Sequence, residues 1–130
     1  MGLKYDTEKT KKEFCLMNSD GKRPWGYFEV LADEPDYKVK RIVVKPGGRL
    51  SMQSHQLRNE QWYVVQGEGR VVIDGRDYSA WAGASFHIPA KSVHRLENSA
   101  STDLVIIEIQ TGSYFGEDDI ERLADDYGRN

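Results

Sequence analysis

Cysteine, histidine and proline are scarce in this 130-residue chain, which carries one, three and four of them. A lone Cys15 forms no internal disulfide and builds no thiolate metal site by itself. No apolar run approaches the roughly 20 residues of a bilayer span. The opening Met1-Gly2-Leu3-Lys4-Tyr5-Asp6 lacks the apolar stretch of a signal peptide. Neither sign of charge dominates: 18 Lys and Arg stand against 21 Asp and Glu, a net charge of -3. That balance leaves no electrostatic footprint for nucleic acid or an anionic membrane. These absences predict a soluble, cytoplasmic protein with neither kind of partner. Any metal or acid-base chemistry must draw on His55, His87 and His94.

What is present divides unevenly. Residues 1–22 are polar and Lys-rich, ending in the turn cluster Asn18-Ser19-Asp20-Gly21. Thr7 is a candidate cap for a short helix through Leu16. Lys9, Lys11 and Lys12 read as a solvated arm and receive no function. Residues 23–130 are expected to form one domain, long enough for a single core burying about two-thirds of the unfolded surface. Period-two alternation runs through Tyr27–Leu31, Tyr37–Val44, Leu50–His55, Trp62–Gln66 and Arg70–Ile73. It resumes in Arg76–Ser79, Ser85–Ile88, Val93–Leu96 and Leu104–Gln110. Asp74-Gly75 is a strong hairpin dipeptide. Many short strands argue an all-β sandwich or small barrel. The tail Asp118–Tyr127 alone predicts a helix, with acidic residues at its start to suit the helix dipole.

The spacing of turn glycines and polar residues is more informative. Gly47 is followed by Gln53, His55, Glu60 and Gly67; Gly83 is followed by Pro89, His94 and Asn98. Gln53 and His55 share parity, so their side chains leave one face of a strand. Glu60 and Trp62 fall on the returning strand, and His94 arrives from a distant hairpin. Two neutral imidazoles, a carboxylate and an amide oxygen converging in a barrel form an N/O site for a borderline divalent ion, with one or two positions open.

That double spacing resembles the two motifs of the cupin superfamily, with Gln53 where the first histidine commonly stands and Lys91 where the second motif has a glycine. The likeness extends to the type II phosphomannose isomerases. It is carried by Arg23-Pro24-Trp25-Gly26, Lys38-Val39-Lys40, Leu50-Ser51-Met52-Gln53, Ile88-Pro89-Ala90 and His94-Arg95-Leu96-Glu97-Asn98. Ile107 to Tyr114, Gly116 to Ile120 and Asp126-Tyr127-Gly128-Arg129 continue it. The resemblance implies a cupin double-stranded β-helix, a jelly-roll barrel. It also implies metal-dependent interconversion of mannose 6-phosphate and fructose 6-phosphate. In that family the cupin usually follows a mannose-1-phosphate guanylyltransferase, and no Gly-rich nucleotide loop for such a half is found here. Gln53, His55, Glu60 and His94 would by the same resemblance hold one divalent ion, typically zinc, with iron, cobalt, manganese or nickel as alternatives. A homodimer follows by analogy with cupins. The family usually reads His-His-His-Arg-x-Glu-His-Trp where this chain reads His55-Gln56-Leu57-Arg58-Asn59-Glu60-Gln61-Trp62. Three histidines are therefore replaced while the four candidate ligands and Arg58 stay.

Aldose-ketose isomerisation needs a base that moves a proton between adjacent carbons through an enediol, and cations for the oxyanion and phosphate. Lys40 shares parity with Ile42 and Val44 and reads either as a phosphate or oxyanion partner or as a snorkelling lysine at the strand's wet end. Arg58 matches a family arginine and is assigned to the substrate. Glu108, sharing parity with Ile106, is a candidate base with a raised pKa or, equally, an ion-pair partner. Ser51 and Trp62 are candidate substrate contacts, Ser51 to a sugar hydroxyl. Trp25, Phe28, Tyr63 and Trp81 read as core or interface residues, and His87 as a surface one. Two other classes compete: a non-catalytic cupin that binds a sugar or sugar phosphate, supported by the replaced histidines, and an Fe(II) oxygenase using His55, Glu60 and His94.

Overall fold

Alternation of apolar and polar residues becomes eleven strands in the computed structural model, which describes residues 21–129. They are β1 (Lys22–Arg23), β2 (Gly26–Asp33), β3 (Tyr37–Val44), β4 (Met52–Ser54), β5 (Arg58–Gln66) and β6 (Glu68–Ile73). β7 (Arg76–Trp81), β8 (Ser85–Ile88), β9 (His94–Glu97), β10 (Leu104–Gly112) and β11 (Glu121–Ala124) follow. One sheet has the order β1-β2-β3-β10-β5-β8 and the other β11-β4-β9-β6-β7, all paired antiparallel. Two antiparallel sheets facing one another with crossovers between them make the expected jelly-roll barrel. Among the described residues there is no helix, hence none long and apolar enough to cross a membrane.

Register explains why the barrel has a dry end and a polar end. Inward positions along β10 run Leu104, Ile106, Glu108, Gln110. Ile106 pairs with Val64 on β5 and Ile42 on β3, whereas Glu108 pairs with Trp62 and Lys40. Moving one pleat therefore changes the interior from aliphatic to ionisable. Val44, Val64, Val71, Leu96, Leu104 and Ile106 are each wholly shielded and fill the dry end. At ~25 cal/mol per Å2 such burial is the main stabilising term, and it carries the cost of the charged residues at the other end.

Turn chemistry follows the sequence closely. Asp74 and Gly75, at φ 48° and 81°, join β6 to β7 as a two-residue turn with both central residues left-handed. Gly67 turns the chain between β5 and β6 at φ 92°, and a Cβ there would lie 2.4 Å from the Asp103 carbonyl oxygen. Asn98, fully buried, ties three segments together. Its amide donates to the carbonyls of Val44 and Thr102 at 2.9 and 2.8 Å and its oxygen accepts from the Ala100 N–H at 3.0 Å.

The expected C-terminal helix over Asp118–Tyr127 is not formed. Its middle is β11, which covers the free edge of β4 with Glu121 opposite Ser54 and Arg122 opposite Gln53. The acidic residues that suggested a helix start are engaged elsewhere. Asp119 accepts from the Gln56 and Leu57 N–H groups, Asp125 pairs with Arg129, and Asp126 pairs with Arg49. Tertiary hydrogen bonds and an unpaired strand edge outweigh a weak local preference. The helix expected from Thr7 to Leu16 lies outside the described residues.

Lys91 occupies the motif's glycine position at φ 72°, a left-handed conformation that costs a side chain about 1–2 kcal/mol. Lys91 is exposed, so Lys91→Gly is expected to stabilise the fold by about 0.5–1 kcal/mol once glycine's extra unfolded-state freedom is subtracted, read from the urea midpoint. Hydrogen bonds from Arg129 hold the Asp125 carboxyl down at about 2. A depressed acid stabilises the fold above its unfolded value of about 3.9 and loses that contribution as pH falls through 2. Carboxyl NMR is expected to show an Asp125 midpoint near 2 that returns toward 3.9 in Arg129→Ala.

Candidate metal centre

Each side chain of the polar end is aimed inward by strand parity. Gln53 on β4 faces His94 on β9 directly, Glu60 and Trp62 lie on β5, Glu108 and Gln110 on β10, and Lys40 on β3. His55 and Arg58 stand at the corner between β4 and β5. The centre is thus shared between the two sheets and exists only when they close on one another.

His55, Glu60 and His94 are all buried, and one ligand atom from each falls within 4.8 Å of the others. Second contacts fix the imidazoles. His55 Nδ1 lies 2.7 Å from the Asp119 carbonyl oxygen and His94 Nδ1 lies 3.0 Å from that of Ser92. A carbonyl only accepts, so both Nδ1 atoms carry the proton and both Nε2 lone pairs point at the carboxylate. His55 Nε2 is 3.3 Å from Glu60 Oε2 and His94 Nε2 is 3.6 Å from Glu60 Oε1. Acceptor faces acceptor, an arrangement that a cation stabilises, and two imidazoles with a carboxylate suit a borderline divalent ion. Burial, then the nearby Arg58 charge, lowers His55 to about 4; burial also lowers His94. Both rings are therefore neutral and ready to ligate at neutral pH. Gln53 lies on the same wall, its amide donating to the Ser51 carbonyl at 3.4 Å.

A layer of charge surrounds this set. Arg58 donates to Glu60 Oε2 at 2.8 Å and to His55 Nε2 at 3.2 Å. The Trp62 indole N–H is shared between Glu60 Oε1 and Glu108 Oε2, at 3.0 and 3.1 Å. Trp62, 1% exposed, thus bridges two carboxylates while lining the cavity. Burial foremost, then Glu60, pushes Glu108 up to about 7, while Gln110 donates to its other oxygen. Among the described residues Glu108 has no direct ion pair. Lys40 is neither snorkelling nor open to solvent: it is 3% exposed and its Nζ lies 2.6 Å from Glu117 Oε2 and 4.2 Å from the Phe28 ring centroid. Ser51 is buried, and its hydroxyl has no hydrogen-bond partner among the described residues. His87 is exposed beside Gln61, outside the centre.

Three residues given no role from the sequence belong here: Glu117, which covers Lys40, Asp119, which holds the His55–Leu57 turn, and Arg122, which lines the cavity. Asp119 and Arg122 lie on the segment read as a helix, and Glu117 immediately precedes it. Only the crossing of residues 113–120 from one sheet to the other brings them over the site, and no local pattern encodes that path. The three positions where the family pattern has histidines tell the converse story. Gln56, Leu57 and Gln61 are all exposed, so their identity leaves the ligand set untouched.

Fold and centre together define a cupin. Residues 10–125 match the model of the mannose-6-phosphate isomerase C-terminal family, and the chain belongs to that family. It is 50% identical over 107 residues to the alginate biosynthesis protein AlgA of Pseudomonas aeruginosa, covering 82% of this chain and 22% of that protein. It is 46% identical over 107 residues to a mannose-1-phosphate guanylyltransferase of Escherichia coli, covering 82% and 23%. The chain thus spans less than a quarter of the length of these relatives. Among solved structures, the capsular polysaccharide assembling protein CapF of Staphylococcus aureus superposes with a TM-score of 0.71 at 24% identity, over 80% of this chain and 33% of that one. KdgF from Halomonas superposes with a TM-score of 0.67 at 21% identity, over 74% and 84%.

His94→Ala is expected to abolish tight binding of one divalent ion, measured by metal analysis after dialysis. Asp119→Ala removes the two backbone contacts that hold the His55 turn, and is expected to weaken binding about tenfold without abolishing it.

Proposed function

We propose that this cupin is a metal-dependent aldose-ketose isomerase acting on mannose 6-phosphate and fructose 6-phosphate. The observation that carries the reading is a second buried carboxylate, Glu108, poised near neutrality and bridged by Trp62 to the candidate ligand Glu60. An ion held by His55, Glu60 and His94, with Gln53 beside it, would polarise the substrate's carbonyl and hydroxyl oxygens as a Lewis acid. Glu108 takes the proton from C2 of the aldose, leaving an enediolate; the O2 hydroxyl proton passes to O1, and Glu108 returns its proton to C1, giving the ketose. A carboxyl near 7 suits both halves of that transfer, because it accepts and releases a proton at comparable cost. Trp62 fixes its Oε2 and Gln110 its Oε1, so the base is oriented before substrate enters. Arg58 neutralises negative charge developing on the enediol oxygens, and its own contacts to Glu60 and His55 hold it in place. The relatives' names support mannose phosphate chemistry. Zinc as the resident ion, and a homodimer through the outer sheet face where Tyr63, Val65 and Ile109 are exposed, complete the reading.

The exposure of Gln56, Leu57 and Gln61 weighs against the non-catalytic alternative, since the replaced positions lie outside the chemistry. Protein stripped of metal and reloaded with zinc, cobalt or iron is to be assayed on mannose 6-phosphate while following fructose 6-phosphate. Metal-dependent turnover is expected, falling at least a hundredfold in Glu108→Gln with the metal content retained. Metal binding without turnover on mannose 6-phosphate would remove the isomerase assignment.

A further inference from the structure

Among the described residues, five cationic side chains line the cavity: Arg23, Lys40, Arg58, Arg122 and Arg129. A phosphorylated substrate needs one of them with its donors still available. Lys40 meets Glu117 at 2.6 Å and Arg23 reaches the same carboxylate at 3.8 Å; Arg58 meets Glu60 and Arg129 meets Asp125, each at 2.8 Å. Arg122 differs. Its Nε is screened from solvent and has no hydrogen-bond partner among the described residues. The hydroxyl of Ser51, a residue 1% exposed, is in the same condition and lines the same cavity. Leaving a buried donor unsatisfied costs about 1–3 kcal/mol, and here two of them occur on one wall.

That wall is ordered by register. Arg122 on β11 pairs with Gln53 on β4, which pairs with His94 on β9. Ser51 lies two residues before Gln53 and so shares its face. The row from Arg122 to His94 spans two strand spacings, roughly 10 Å, on the order of the length of an extended hexose phosphate. One end of the row thus carries the candidate metal centre and the other carries Arg122, with Ser51 on the segment between them, two residues from Gln53. A planar guanidinium offers two parallel N–H groups to adjacent phosphate oxygens, and a hydroxyl serves a third.

We infer that Arg122 and Ser51 form the seat for the substrate's phosphate group, Lys40 being already engaged by Glu117. This rests on the sugar-phosphate reading above and assigns the end of the site that the metal ligands leave undefined. It shifts the phosphate from the β3 wall, where Lys40 lies, to the β4–β11 wall.

Calorimetric titration of the metal-loaded, full-length protein with mannose 6-phosphate, mannose and inorganic phosphate tests it. In Arg122→Gln, binding of mannose 6-phosphate and of inorganic phosphate is expected to weaken about ten- to a hundredfold, the range of a charge-assisted hydrogen bond. Mannose binding, metal content and melting temperature should stay at wild-type values. Arg122→Lys should recover part of the loss, and Ser51→Ala should lose severalfold. Wild-type phosphate affinity in a folded Arg122→Gln protein overturns the assignment, as does a loss confined to Lys40→Gln. A wild type that binds neither phosphate-bearing ligand overturns it too. If Arg122→Gln loses phosphate binding while the wild type turns over no sugar phosphate, the seat stands and only the isomerase reading falls.

Discussion

Burial of the Glu60 carboxylate is the constraint on which the rest of the site depends. A carboxylate 2% exposed is tolerated inside a barrel only if donors and cations surround it. Arg58 and the Trp62 indole supply two of those contacts, and the two imidazole lone pairs facing it invite a third, cationic partner. After burial, the same anion helps to raise the Glu108 carboxyl to about 7. One side chain therefore links the candidate metal ligands to the candidate base, and changing it would disturb both.

Around that anion the barrel is divided by a single pleat. The aliphatic layer of Val44, Val64, Leu104 and Ile106 supplies the cohesion that a ring of buried charges cannot. The segment after β10 then closes the polar end by crossing between sheets. Glu117 neutralises Lys40, and Asp119 supports His55 with its carbonyl and the following turn with its carboxylate. In carrying β11 to the edge of β4, the same segment sets Arg122 beside Gln53. A stretch that contributes little to the core thus decides much of the site's electrostatics.

Departures from the family pattern sort by where they point. Gln56, Leu57 and Gln61 face solvent, and Gln61 meets His87 there. Lys91 accepts a left-handed backbone that glycine would adopt more readily, yet its N–H still reaches the His55 carbonyl at 2.7 Å. The hairpin that delivers His94 therefore keeps its anchor on the other imidazole's segment although its turn residue has changed.

Strand positions, the Asp74-Gly75 turn and the parity of Lys40, Gln53, Glu60 and Glu108 were legible in the sequence. Period-two alternation fixes which face a residue takes once one face is dry. The spacing of His55, Glu60 and His94 likewise pointed to three buried side chains whose ligand atoms the fold brings within 4.8 Å of one another. What alternation cannot state is which strands become neighbours and where a connecting segment lies. The partners of Lys40 and Trp62, the raised pKa of Glu108, the replacement of a C-terminal helix by β11 and the places of Glu117, Asp119 and Arg122 all depend on that. They were decided by contacts between residues up to 94 positions apart, whose energies enter only after the two sheets have closed.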